Sequence, residues 1–213
     1  MIYTAIELFA GGGGLALGLE RAGFRSLGLI ELDKDAAATL RHNRPAWRVI
    51  NEDLADRVIF AFPAPHAYKP VLRDCPPSEG AQYGAQKRDI FALVPPGGYW
   101  RDIPEEIARP YMKSCWYMGG GRTGILRRLS LDEPSLTVLT SPSQKQTERC
   151  HPLEPRPFSV RENARWQSFP DEWEFCGSMM QQYKQVGNAV PVNLAYEIAR
   201  AIKTTLGELK CGH

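Results

Sequence analysis

The residues best suited to chemistry in this sequence are a run of glycines and two acidic residues that follow it. Gly11 to Gly14 come directly after the apolar stretch Tyr3 to Phe9. Glycines between a strand and a helix let the backbone approach a ligand closely, because no Cβ atom intervenes. Glu31 could accept hydrogen bonds from both hydroxyls of a ribose, and Asp53 could accept one from an adenine amino group. This order of residues predicts a nucleoside-binding crevice.

The glycines alone do not decide the ligand. The pattern Gly11-x-Gly13-x-x-Ala16 fits the dinucleotide-binding fingerprint, but an unliganded tight turn would also use glycines. A phosphate-binding P-loop is disfavoured, because no Lys-Ser or Lys-Thr pair follows them. The two acidic residues that come later favour a ribose and an adenine as the groups that bind.

The elements that must position these residues alternate along the first fifty positions. Apolar runs and helical periodicity predict strand, helix, strand, helix and strand, at 3–9, 15–22, 26–30, 34–43 and 48–50. Asp33 is placed to cap the second helix, and Pro45 would end it. Such alternation is typical of the opening of a parallel α/β sheet.

The periodicity changes in the middle of the chain. From Phe62 to Pro157, prolines, glycines and aromatic residues replace it, which favours a loop-rich second domain with short strands such as Ser135 to Leu139. Helical periodicity returns at 160–167 and 193–206. We therefore expect three parts, at residues 1–62, 63–157 and 158–213, with the last returning to the domain that the first begins.

Composition excludes several classes of protein. The 213 residues are 43% hydrophobic and 23% charged, which is ordinary for a globular protein. The five scattered cysteines form no Cys-x-x-Cys pair, which argues against a disulfide framework and a zinc site. We see no signal peptide and no run of membrane-spanning length, so we expect a cytoplasmic protein.

The net charge of +2 is too small to indicate a polyanionic partner, but basic residues concentrate in one region. The segment from Arg109 to Arg149 contains seven basic residues and three acidic ones. That local excess suits phosphate contacts, although a solvated basic face would look the same.

Several motifs resemble those of the cytosine-C5 DNA methyltransferases of bacterial restriction-modification systems. Phe9 to Gly13 resembles their S-adenosylmethionine-binding motif. The runs Arg161 to Asp171 and Gln182 to Pro191 resemble their last two motifs. Pro96 to Pro104, and Gly119 to Gly124 followed by two arginines, resemble part of the recognition region in one bacterial branch.

The resemblance implies a Rossmann-like methyltransferase sheet, a small loop-rich target-recognition domain at 63–157, and nucleoid-associated action on double-stranded DNA. The implied reaction transfers a methyl group from S-adenosylmethionine to C5 of a flipped-out cytosine, leaving S-adenosylhomocysteine. The implied cofactor contacts are Phe9, Gly11, Gly13, Gly14, Leu15, Glu31, Asp53, Asn188 and Val190. The candidate DNA contacts are Arg101, Arg122, Arg127 and Arg128, and the residues expected to brace the domain junction are Arg161 and Glu162.

The sequence departs from the family at its catalytic centre. The family nucleophile lies in a Pro-Cys-Gln segment, and no cysteine here follows a proline. Cys75 precedes two prolines, which is the reverse order, so we assign no catalytic residue. The Glu-Asn-Val segment is also absent. We expect residues near Asp53 to Phe60 to join regions that relatives keep apart, which leaves the sheet incomplete, with Ile2 to Phe9 at an exposed apolar edge.

Three functional hypotheses remain open. In the first, the chain is a complementing or truncated methyltransferase that acts only with a second polypeptide bearing the Pro-Cys segment. That polypeptide, or a second copy of this chain, would cover the exposed sheet edge. Alternatively, the chain is a degenerate member that binds S-adenosylmethionine or DNA without catalysis. The third hypothesis is a small-molecule methyltransferase or other Rossmann-like enzyme, which leaves the last two motifs and the basic region unexplained.

Overall fold

A computed structural model describes residues 2–51, 78–118, 123–142 and 144–211. Its strands are β1 (Tyr3–Leu8), β2 (Phe24–Ile30) and β3 (Val49–Ile50). Its α-helices are α1 (Gly14–Arg21), α2 (Lys34–Asn43), α3 (Ala85–Leu93), α4 (Glu105–Met112), α5 (Val160–Trp166), α6 (Met179–Asn188) and α7 (Val192–Cys211). Short 3₁₀ helices span Trp100–Asp102, Lys113–Tyr117 and Lys145–Thr147.

The strands form a parallel sheet in the order β1-β2-β3. The pairing of β1 with β2 runs from Tyr3 opposite Phe24 to Leu8 opposite Ile30, with an irregularity between Ala5 and Ile6. Within the described residues β1 pairs only with β2 and is therefore an edge strand. The α/β class that the alternating pattern predicts is present, with a small sheet.

One face of the sheet is covered by the first two helices. Ala16 of α1 and Leu40 of α2 pack with Ala10 and Leu29 in a buried cluster. Asp33 caps α2 as the sequence predicts, because its Oδ1 accepts hydrogen bonds from the backbone N–H groups of Asp35 and Ala36. Partial burial opposes ionisation of Asp33, but these bonds and Lys184 hold its pKa below the usual value.

The two ends of the chain share one core. Leu17 of α1 lies in a buried cluster with Trp173, Tyr183 and Val192. A Cβ atom on Gly18 would overlap the side chain of Ala195, so α1 and α7 cross in direct backbone contact. The carboxyl-terminal segment therefore returns to the domain that the first strands begin.

The middle of the chain has a hydrophobic cluster of its own and is more helical than the sequence predicts. Phe91 of α3 and Met112 of α4 are fully buried there, together with Ile125, Leu126 and other residues. The predicted strand at Ser135 to Leu139 is wrong, because residues 134–139 adopt neither strand nor helix. The domain boundaries at 62 and 157 stay a prediction.

Candidate functional site

The glycine turn lies at the carboxyl ends of the parallel strands, where α/β sheets bind ligands. Gly11 and Gly13 have φ angles of 52° and 88°, a conformation that glycine adopts without the Cβ penalty. Phe9 also has a positive φ of 57°, and its side chain is 63% exposed. A non-glycine residue rarely takes this conformation, which marks the turn as strained. The backbone of Phe9 thus projects its ring outward beside the turn.

Glu31 is held against the glycine turn by both of its carboxylate oxygens. Oε2 accepts a hydrogen bond of 2.7 Å from the backbone N–H of Gly11, and Oε1 accepts one of 2.8 Å from Asp33. The side-chain amide of Asn51 donates to the backbone oxygens of Glu31 and Leu32. These bonds fix the carboxylate at the end of β2, half-buried, and each oxygen retains capacity for a further donor.

The turn is also in contact with the last motif. A Cβ atom on Gly14 would overlap the carbonyl oxygen of Val190, and one on Gly12 would lie 3.4 Å from the carbonyl oxygen of Gln185. Asn188 ends α6, two residues before Val190, and both residues are exposed. Leu15, at the start of α1, is half-buried. The structure thus brings the two ends of the predicted cofactor site together.

A buried hydrogen-bond network attaches α6 to α2. The hydroxyl of Thr39 donates to Gln185 Oε1 at 2.6 Å and accepts from the backbone N–H of Cys176. Gln185 Nε2 in turn donates to the carbonyl of Cys176. Asn43 adds bonds to the backbone of Glu174 in both directions. The network involves Thr39 and Asn43, which the sequence analysis did not select.

Gln167 positions the turn between α6 and α7. Its side-chain amide donates to the carbonyl oxygens of Val186 and Ala189, each at 3.0 Å, and its backbone carbonyl accepts from the backbone N–H of Val192. The residue is 8% exposed. Because Val190 lies inside this turn, Gln167 holds the tail of the candidate site in place against the glycines.

Glu7 is a buried carboxyl group that sequence reasoning missed. It is 6% exposed, and its Oε2 has no hydrogen-bond partner within the described part of the chain. It lines a cavity of about 280 Å³ between α1 and the sheet, with Ser26 and Trp47. Burial, and to a smaller extent the nearby charge of Glu31, raises the pKa of Glu7 to about 8. The single acidic residue within a strand pattern is the signal that could have identified it.

The two residues expected to brace the domain junction make different contacts. Glu162 pairs with Arg156 through two hydrogen bonds of 2.8 and 2.9 Å and closes a capping box with Ser159. Burial opposes its ionisation, but Arg156 and the Ser159 backbone hold the pKa of Glu162 below the usual value. Arg161 donates to the carbonyls of Pro170 and Trp173, which lie within the carboxyl-terminal segment.

The structure contradicts the prediction that Arg128 contacts DNA. Arg128 is 9% exposed, and its guanidinium donates to four backbone carbonyls, those of Phe91, Val94, His151 and Pro152. Its charge is therefore used inside the protein and cannot reach a phosphate or a base. The adjacent Arg127 keeps 20% of its side chain exposed and lies 3.6 Å from Glu133.

Among the described candidates for DNA contact, Arg101 is the exposed one, and its guanidinium stacks over Trp100 at 4.9 Å from the ring centroid. Asp53, Cys75 and Arg122 lie outside the described residues.

Among the cysteines whose environment is described, Cys150 is buried, which raises the pKa of its thiol to about 12. No group of three potential metal ligands occurs in the described ranges, and no helix there is long and apolar enough to cross a membrane.

Comparison with known proteins identifies the family. The model of the C-5 cytosine-specific DNA methylases matches residues 3–77 and 78–204, which is nearly the whole chain. This chain belongs to the C-5 cytosine-specific DNA methylase family. The resemblance read from the glycine turn and the last two motifs is thereby confirmed. The match is divided between Pro77 and Ser78, and the junction near Asp53 to Phe60 stays a prediction.

Individual relatives are type II methyltransferases. M.Sau96I of Staphylococcus aureus is 37% identical, over 94% of this chain and 75% of its own length. M.Eco47II of Escherichia coli is 34% identical, over 98% and 80% respectively. The alignment with the Staphylococcus aureus relative runs over 324 residues, whereas this chain has only 213. More than one hundred positions inside the aligned span therefore have no counterpart here.

A solved structure shares the fold. A protein described as a DNA modification methyltransferase encoded within a prophage of E. coli superposes with a TM-score of 0.58 at 16% identity. The superposition covers 96% of this chain and 99% of the other. At this identity the likeness concerns the arrangement of strands and helices, and it supports the assignment of the methyltransferase fold.

Proposed function

We propose that this chain binds S-adenosylmethionine at the glycine turn and contributes to cytosine-C5 methylation of duplex DNA only together with a second polypeptide that bears the nucleophile. The observation that carries the cofactor assignment is the Glu31 carboxylate, held by the backbone of Gly11 and Asp33 beside the glycine turn, which contacts Val190 through Gly14. That arrangement suits a ribose, whose two hydroxyls would donate to the carboxylate.

The remaining cofactor residues extend the same crevice. Phe9 presents an exposed ring beside the turn and would stack on the adenine, while the backbone of Gly11 and Gly13 would approach the methionine portion. Asn188 and Val190 would close the methionine end from the other side. When bound, S-adenosylmethionine would supply the transferable methyl group as a sulfonium, and the chain's own residues would bind and orient it.

The proposal that catalysis needs a second polypeptide rests on the sequence and the comparisons. No cysteine in the 213 residues follows a proline, and relatives carry more than one hundred aligned positions that this chain lacks. The family match is divided between Pro77 and Ser78, and this division supports a discontinuity there. A degenerate module that binds the cofactor or DNA without catalysis would have the same cofactor residues. Methylation that appears only when the second polypeptide is added distinguishes the partner-dependent enzyme from such a module.

Duplex DNA is the proposed substrate, bound by the middle region acting as a target-recognition domain. Arg101 is exposed there, Arg127 keeps 20% of its side chain exposed, and Arg122 lies five positions before Arg127 in the sequence. Substituting Arg101 with Ala should weaken DNA binding by a few-fold and reduce its salt dependence, because one phosphate contact is lost. Fluorescence anisotropy at two salt concentrations measures both quantities, and an unchanged salt slope would remove Arg101 from the interface.

Calorimetric titration with S-adenosylmethionine tests the cofactor site. Glu31→Ala should weaken binding by about 1.5–3 kcal/mol, the range for lost hydrogen bonds to a charged group. Glu172→Ala is the matched control, because Glu172 is exposed and lies outside the crevice. Equal affinities for the two variants would mean that the nucleoside binds elsewhere.

A further inference from the structure

Within the described residues, one face and one edge of the sheet have no covering element. We infer that this open face, together with the free edge of β1, is the docking surface for a polypeptide that adds a strand parallel to β1 and packs helices against the face. The inference rests on the proposed function, because the docked polypeptide would be the one that brings the nucleophile. It adds where that polypeptide binds and what architecture it has.

Side-chain exposure along β1 defines the open face. Glu7, with its side chain toward α1, is buried, whereas Thr4, Ile6 and Leu8 alternate with it and are exposed. Ile6 is 64% exposed and Leu8 is 42% exposed. Leu27, at the irregularity of β2, is 43% exposed beside them. Apolar side chains of this size on adjacent strands form a continuous surface suited to burial.

The chirality of the connections explains why this face is open. Right-handed crossovers from β1 through α1 to β2, and through α2 to β3, place both helices on the same side of the sheet. Purely parallel sheets occur almost exclusively with both faces covered. Helices that cover the second face would therefore follow a strand added beside β1, on the side away from β2.

The edge of β1 also has no guarding residue in its own sequence. In monomeric proteins, edge strands are usually protected from further pairing by lysine, proline or an inward-pointing charge. The sequence Tyr-Thr-Ala-Ile-Glu-Leu of β1 contains neither lysine nor proline, and its only charge lies on the helix-covered side. Among the described residues only β2 pairs with β1, so the backbone groups from Thr4 to Leu8 on its other side are available to a parallel partner strand.

The comparisons favour a distinct polypeptide over a second copy of this chain. More than one hundred positions of the Staphylococcus aureus relative, inside the aligned span, have no counterpart here. In a doubly wound sheet the strand order reverses at the first strand, and ligands bind in the crevice at that point. A polypeptide docked on β1 would complete that crevice beside Gly11. A second copy would cover Ile6 but would bring no Pro-Cys segment.

Association in trans tests the inference. The full chain is co-expressed with the residues of the Staphylococcus aureus relative that have no counterpart in it, and the complex is analysed by size exclusion with light scattering. We expect a 1:1 complex, at least tenfold weakened by Ile6→Lys, because a charge would be buried against apolar surface. Leu153→Lys, at a residue 58% exposed and in the middle region, should leave affinity unchanged. Equal binding by the two variants would overturn the inference, as would a symmetric homodimer broken by Ile6→Lys.

A covalent version keeps the test decisive if the added polypeptide does not fold separately. The same residues are inserted between Pro77 and Ser78, and the thermal midpoint of each variant is measured. Ile6→Lys should lower the midpoint by at least 5 °C in the fused protein and by about 1 °C or less in the parent chain, because exposed substitutions cost little. An equal shift in both proteins would contradict docking at Ile6.

The two proposals fail independently. If the parent chain binds S-adenosylmethionine but Ile6→Lys has no effect in either format, the docking surface is wrong and the cofactor site stands. If docking is lost on Ile6→Lys but the cofactor does not bind, the cofactor site is wrong and the docking surface stands.

Discussion

At the scale of single residues, several charged side chains make their contacts inside this protein. Arg128 donates to four backbone carbonyls, and Glu148, 1% exposed, accepts from the Leu126 backbone and from Tyr111 while it pairs with Lys87. Buried charges are tolerated only when such partners are present. The basic excess of the middle region is therefore partly structural, and a count of basic residues overstates the charge offered to DNA.

Removing the Arg128 guanidinium should destabilise the middle region. Arg128→Met keeps most of the aliphatic volume but removes one donor from each of four carbonyls, so we expect a loss of about 3 kcal/mol or more in the free energy of unfolding. Arg101→Met, at an exposed site, should change it by less than about 0.5 kcal/mol. Urea unfolding measures the free energy of unfolding of both variants. Equal values would show that the Arg128 guanidinium does not stabilise the middle region.

The sequence could not distinguish Arg127 from Arg128. The partners of Arg128 lie 23 to 37 positions away, in α3, just after α3 and in the loop at His151. Only the packed structure brings those carbonyls to one guanidinium. Glu31, in contrast, was identified from its place at the end of an apolar run, because the end of β2 is a local property of the sequence.

Glu7 should make the stability of the protein depend on pH. Its pKa is raised from 4.5 to about 8, so the folded state holds the proton more tightly than the unfolded state. The resulting stabilisation is complete below about pH 4.5 and is lost as the pH rises through 8. Relative to Glu7→Gln, the parent chain should lose up to about 1.4 kcal/mol per pH unit across this window. Urea unfolding at several pH values measures the difference, and parallel curves would contradict it.

At the scale of elements, the central contact is between the glycine turn and the turn that follows α6. Because a Cβ atom on Gly14 would overlap the Val190 carbonyl, Gly14→Ala should separate the two and cost about 1–3 kcal/mol of stability. Gly84→Ala is the control, since a Cβ atom there meets nothing within 4 Å. Thermal unfolding distinguishes them, and Gly14→Ala as stable as Gly84→Ala would refute the tight contact.

The elements of the first fifty residues were predictable because each has a clear period and a clear stop. Helix α2 has the bounds that the cap and the proline indicate, and the strands differ by two residues or fewer. In the middle region, α4 continues through Pro110, which a local reading treats as a helix breaker. Its helicity comes from burial of Ala108 and Met112 in a cluster that distant residues complete.

At the scale of the whole molecule, the described residues form one side of a parallel sheet and the carboxyl-terminal segment that returns to it. The glycine turn lies where an added strand would meet β1, so cofactor crevice and docking surface are neighbours. A polypeptide docked there would cover apolar residues and narrow the crevice simultaneously. Cofactor and docked polypeptide should then bind with positive cooperativity, since each orders the region that the other contacts.

Transfer of labelled methyl groups from S-adenosylmethionine to duplex DNA tests the central claim most directly. The chain alone should incorporate no label above that of a heat-inactivated sample. Addition of the residues that the Staphylococcus aureus relative carries and this chain lacks, in trans or inserted after Pro77, should restore incorporation at cytosine. Labelled 5-methylcytosine produced by the purified chain alone would contradict the account.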